Sequence, residues 1–172
     1  CCGDPLACDF PSFDVRDFAL AEADTVIWAA TANGPARFAE RTWRAERNGA
    51  NVTDSRSIEA LGTDVFTATS NPSGVFRWNA GAGRWAAAAE GLRPNQGLGN
   101  RVRLVNADGT LFLCCVYGLF QWNGSSWTGT GLEDVDVRSV ATLASPGTNL
   151  FAATASGLWA RRDVGPTTTW TL

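Results

Sequence analysis

Four tryptophans set the period of this chain: Trp43, Trp85, Trp127 and Trp170 are separated by 42, 42 and 43 residues. Self-similarity at that spacing marks a repeat architecture and outranks any local element. Around each Trp the same order of segments recurs. It opens with a short strand of VRx(F/I/V) type at residues 15–18, 102–105 and 137–140, with a weaker copy at 55–58. A turn with Asp or Asn follows, at Asp24, Asp64, Asp108 and Asn149. Then come the apolar runs VIWAATA, VFTATS, LFLCCV and LFAATA, closed by Gly34, Gly74, Gly118 and Gly157. The segments PARFAER, VFRWN, LFQWN and LWARR lead into the strand that carries the periodic Trp.

Each unit is therefore about 40 residues of four short strands, rich in β-branched and aromatic residues and punctuated by Gly, Pro, Asn and Asp. That pattern predicts an all-β fold, a four-bladed β-propeller. The blades occupy residues 15–172, at about 15–49, 50–92, 93–132 and 133–172. Helical periodicity is absent; AAAAEGL at 86–92 reads as the end of an outer strand. Four blades make a small ring, so a piece of a larger propeller and a half-ring completed by a second copy stay open as alternatives. Each copy begins with its inner strand and ends with its outer one, which leaves no strand to lock the fourth blade to the first. Residues 1–14 form a separate segment, and its stretch CDFPSF (8–13), with two aromatics, is expected to cover that seam.

The units GVFRWNAGAGRW, GLFQWNGSSW and GLWARRDVGPTTTW resemble repeats of the sialidase-like, Asp-box propeller superfamily, nearest in flavour to photosystem II stability and assembly factor propellers. The strict SxDxGxTW pattern is met in no copy: Asn79 and Asn123 replace the Asp, and Asp163 with Gly165 keeps the DxG pair two residues too far from Trp170. The resemblance implies a fold and does not carry an activity.

Composition narrows the chemistry. All 14 basic residues are Arg, set against 17 acidic ones for a net charge of −3, which argues against nucleic-acid binding. There is no His, so imidazole ligation and Ser-His or Cys-His nucleophile pairs are excluded. A sialidase needs a Tyr nucleophile in a pocket, and the single Tyr, Tyr117, sits beside Gly118 where a turn is expected. No acid, base and nucleophile can be assembled, so the chain is read as a non-enzyme without cofactor or metal.

Three groups of residues could bind something. Arg16, Arg56, Arg103 and Arg138 recur once per blade in the first strand. If those strands line the channel, the guanidiniums form a ring suited to an anion or an acidic partner. The plainer reading pairs each with a local acid: Asp17, Asp54, Glu59 or Asp136. Trp78 and Trp122 stand where Phe38 and Arg161 stand in other copies, which predicts partial exposure and a stacking surface for a sugar or a partner, against packing between blades. Cys114 and Cys115 replace Ala and Thr of the other copies and are expected to be structural thiols.

The N-terminal Cys1 resembles the acylated first residue of a bacterial lipoprotein, which would anchor the chain to a membrane. Cys2 and Cys8 are then disulfide candidates in an oxidising compartment. Abundant Arg, Ala and Gly without Lys fit a GC-rich bacterium, with the protein exported and facing the periplasm or the cell exterior. The expected function is a non-catalytic binding propeller, a lipid-anchored accessory or stabilising subunit docking on a membrane protein complex, photosynthetic or electron-transferring by the resemblance above. The alternative is a surface lectin that binds carbohydrate through Trp78 and Trp122.

Overall fold

A computed structural model of the chain describes residues 12, 14–21, 26–93, 97–143, 149–164 and 167–172. The fold is all-β: four antiparallel four-stranded sheets, each running in sequence order, make a four-bladed β-propeller. The first blade comprises β1 (Val15–Ala21), β2 (Val26–Thr31), β3 (Gly34–Ala39) and β4 (Thr42–Ala45). The second holds β5 (Thr53–Leu61), β6 (Asp64–Asn71), β7 (Ser73–Asn79) and β8 (Arg84–Ala87). The third holds β9 (Arg103–Ala107), β10 (Thr110–Cys115), β11 (Gly118–Trp122) and β12 (Trp127–Gly129), and the fourth β13 (Val137–Leu143), β14 (Asn149–Thr154), β15 (Gly157–Val164) and β16 (Thr167–Thr171).

Turn chemistry sets the strand registers. Ala107 pairs with Thr110 around Asp108-Gly109, both at positive φ (50° and 74°), the type I′ geometry that matches strand twist. Glu40-Arg41 makes the corresponding β3–β4 turn at 53° and 65° with two side-chain-bearing residues, a costlier choice.

The first strands are the innermost, with β1 packing on β5, β5 on β9 and β9 on β13. Among the described residues the apolar core forms three clusters, one at each of these joints. Trp28 of the first blade meets Trp78 and Trp85 of the second, with ring centroids 5.2 and 5.5 Å away. Phe66 of the second meets Trp122 of the third at 5.4 Å. Phe112, Cys114 and Leu119 of the third meet Val137, Val140 and Leu150 of the fourth. Among the described residues, no apolar cluster joins the fourth blade to the first.

One sequence equivalence needs correction. Register shifts between Val15 and Asp17, Ser55 and Ser57, and Val137 and Ser139 make Arg16, Arg56 and Arg138 bulge residues. Arg103 instead pairs directly with Cys114, in the slot that Asp17, Ser57 and Ser139 fill against Ala30, Ala68 and Ala153. The third blade is one residue shorter there, so its arginine is in the ladder. A bulge inserts an unpaired residue and re-aims its side chain, a device common at the rims of sites.

Candidate binding cavity

The four repeat arginines line one cavity of about 370 Å³ where the inner strands begin, together with Asp17, Ser57, Asn100, Arg101 and Val102. Their partners follow a rule that spans the blades. Asp14, Asp54 and Asp136 each precede the bulge arginine by two residues, giving D-x-R in the first, second and fourth blades. Arg16 bonds its own Asp14 at 3.0 Å and also Asp54 of the next blade. Arg56 bonds its own Asp54 at 2.8 Å. Arg138 lies 3.9 Å from its own Asp136, as does Arg101 of the preceding blade. Asp54 and Asp136 are thereby each shared between adjacent blades.

The third blade breaks the rule. It reads R-V-R, so Arg101 stands where the other copies have Asp. Arg56 therefore has no acid ahead of it and Arg103 none of its own, which concentrates positive charge between the second and third blades at Arg56, Arg101 and Arg103. A cluster of guanidiniums without a full complement of carboxylates offers charge-assisted donors to an anion. Both planar forks and permanent charge suit a carboxylate.

Asp54 holds two of the cavity's arginines, Arg16 and Arg56. Partial burial works against its charge, but hydrogen bonds from Ser70, Arg16 and Arg56 outweigh that and hold its carboxyl at about 2. Of the other acids expected to neutralise the ring, Asp17 accepts from Ser57 Oγ at 2.6 Å and from the Ile58 N–H at 3.2 Å, so it serves the joint between blades. Burial pushes the Glu59 carboxyl up, opposed by the N–H groups of Ala60 and Asn106. The plainer pairing therefore holds for Asp54 and Asp136 and fails for Asp17 and Glu59. Arg101 and the D-x-R rule escaped the sequence reading, although the signal lay two residues before each arginine.

The two tryptophans proposed as a stacking surface are buried. Trp78 and Trp122 are 9% and 8% exposed. Trp78 packs on Trp85 at 5.4 Å and Trp122 on Trp127 at 5.2 Å, so neither ring face is open to a sugar. Their slot looks exposed in the sequence because Arg161 occupies it in the fourth blade, whose outer face has no blade behind it. A larger cleft of about 870 Å³ is lined by Ser73, Ala87, Gly91, Leu92, Arg93 and Leu98, and Arg93 is held there by Asp134 through bonds of 2.8 and 3.2 Å. Cys1, Cys2, Cys8 and all of the 8–13 seam stretch except Ser12 lie outside the described residues.

Cys114 and Cys115 are free and buried. Thr31 and Thr154 donate their hydroxyls to the carbonyls of Gly34 and Gly157, Thr69 donates to the carbonyl of Pro72 in its longer turn, and Cys115 places its thiol 3.7 Å from the carbonyl of Gly118. The thiol thus substitutes for the hydroxyl that the other three blades direct at a carbonyl of the same turn.

No protein-family model and no curated protein matches the sequence. Two solved structures of the extracellular domain of BT4673 from B. thetaiotaomicron, one described as a one-component and the other as a hybrid two-component system, are similar in fold. They superpose with TM-scores of 0.73 and 0.74 at 20% and 22% identity, over 94% and 95% of this chain and 22% of theirs. The chain spans about a fifth of the length of those domains. The computationally designed Ika4 protein is similar over 98% of both chains, with a TM-score of 0.59 and 11% identity. The propeller reading of the repeats stands on these likenesses; the Asp-box resemblance has no matching family model behind it.

Proposed function

We propose that this chain is a non-catalytic binding propeller whose arginine-lined cavity takes a carboxylate-bearing group of its partner, such as an acidic peptide segment. The observation that carries the reading is Arg101 in place of the repeat aspartate. The third blade adds two arginines to the cavity and no D-x-R acid: Arg56 keeps only its own Asp54, and Arg101 reaches Asp136 of the next blade at 3.9 Å. Loops presented by a rigid scaffold are a natural contact surface, and the cavity opens among the starts of the inner strands. Likeness to extracellular domains supports an exported protein.

Titration of the full chain with a short poly-glutamate peptide tests this, monitored by calorimetry at low and moderate salt. The expected result is saturable, salt-weakened binding that Arg103→Gln reduces at least severalfold. Arg101→Asp restores the acid of the other blades and is expected to remove binding while keeping the fold. Equal binding by wild type and Arg101→Asp would overturn the reading.

The narrower role is an accessory subunit on a membrane protein complex, supported by the repeat resemblance. Gentle detergent extraction of native membranes, followed by mass spectrometry of comigrating proteins, tests it. Fixed-stoichiometry comigration is expected; migration near 18.3 kDa alone would remove it.

A further inference from the structure

Among the described residues, five large apolar side chains are strongly exposed, and all lie on the two outermost blades: Phe18 and Leu20 on the first, Leu143, Leu158 and Leu172 on the fourth, at 55–77%. The repeat states what each position normally faces. Phe18 is opposite Ala29 in its ladder, the slot of Ile58, Leu104 and Val140. Those three are 0%, 2% and 5% exposed because the preceding blade covers them, whereas Phe18 is 57% exposed. Leu158 holds the slot of Val75 and Leu119, both at 0% beneath the following blade, and is 60% exposed. The first blade therefore presents the face that receives a preceding blade, and the fourth presents the face that receives a following one. These faces continue the series of three joints already built into the chain, and β13 does not pack on β1 as the other inner strands pack on each other.

We propose that two copies of this chain pair head to tail, the fourth blade of each on the first blade of the other, as an eight-bladed ring. Both new joints repeat the back-on-front packing of the existing three, so each open face meets the complementary kind. Two arcs give eight blades, within the usual range of about four to eight, whereas three would give twelve. A two-fold arrangement of this kind closes and leaves no free face for further growth. The inference rests on blade packing and stands apart from the carboxylate reading of the cavity.

Sedimentation equilibrium of the full chain tests it, with twice 18.3 kDa as the expected mass at micromolar concentration. Phe18→Asp and Leu158→Asp each alter an exposed side chain, so circular dichroism should be unchanged while each variant alone falls to the single-chain mass. Mixing the two variants is diagnostic. One joint of the mixed pair then joins an unaltered fourth blade to an unaltered first blade, so part of the pairing returns. A wild-type mass of 18.3 kDa, as when a segment of the chain itself covers the faces, would overturn the proposal, as would a dimer that neither substitution weakens or a mixture that regains no pairing.

Discussion

Trp127 donates its indole N–H to the carbonyl of Ala88 at 2.7 Å, and its backbone N–H to the carbonyl of Glu90 at 2.8 Å. Both acceptors belong to the segment leaving the preceding blade. Trp85 does the same with Glu46 and Asn48, and Trp170 donates its indole to Thr130. The periodic Trp therefore latches its blade to the one before it through directed bonds, in addition to filling space.

Trp127→Phe keeps most of the ring volume and removes the indole donor. The buried Ala88 carbonyl is then left without its partner, at a cost of about 1–3 kcal/mol. At about 2–4 °C per kcal/mol for a chain of this size, the melting temperature should drop by several degrees. Trp159→Phe, whose N–H lies 3.5 Å from the exposed Ser156 hydroxyl, should cost much less. Equal losses in thermal melts would show that the latch bond contributes nothing beyond packing.

The latch also explains a glycine. Gly91 has φ +86°, and a Cβ there would sit 2.1 Å from the Trp127 carbonyl oxygen. Gly109 has φ +74° with nothing within 4 Å of the same hypothetical atom. Gly109→Ala should thus carry only the left-handed backbone cost, roughly 1–2 kcal/mol. Gly91→Ala adds steric overlap with backbone that cannot yield cheaply, for a total on the order of 3 kcal/mol or more. Urea midpoints of the two variants compare them directly, and the order should not reverse.

How much of this was legible in the sequence follows from what repeats show and conceal. The blade count, strand order and slot equivalences of Cys114 and Cys115 come through because a repeat aligns with itself. The extra residue at Arg16, Arg56 and Arg138 is concealed because a bulge leaves the string VRx looking the same as the unbulged copy at Arg103. The burial of Trp78 and Trp122 is concealed for a different reason. Their exposure was inferred from Arg161, and a blade at the edge of the stack obeys different solvent rules from blades covered on both sides. The concentration of charge at Arg101 was readable, but only once acids and arginines were aligned together.

The adjacent thiols give a chemical prediction. Burial pushes Cys114 up to about 12 and raises Cys115 as well, so neither is a thiolate at neutral pH. In native protein, alkylation mapped by mass spectrometry should leave both unmodified until denaturant is added. Cys115→Thr installs the residue of the other three blades and should be tolerated within about 1 kcal/mol. Cys114→Ser places a hydroxyl in an apolar joint, at a cost of about 1–3 kcal/mol. Rapid native labelling of Cys115 would contradict the turn-bond assignment.

Asp54 predicts the acid limb of stability. Its carboxyl is held at about 2 in the folded chain, against an ordinary value of 3.8. The unfolded chain therefore binds the proton first as pH falls, and the stability contributed by Asp54 is complete above about pH 5 and lost between there and pH 2. Glu59 has the opposite sign. Burial raises its carboxyl, so folding favours its protonated form and its ionisation weakens stability as pH rises past the unfolded value. Urea midpoints between pH 2 and pH 6 separate the two. Asp54→Asn should flatten the fall in stability on acidification and lower the plateau near neutrality, because Arg16 and Arg56 lose their shared acceptor. Glu59→Gln should leave the steep fall in place. An acid limb equally steep in Asp54→Asn and wild type would mean that the bridge between Arg16 and Arg56 does not hold the first two blades together.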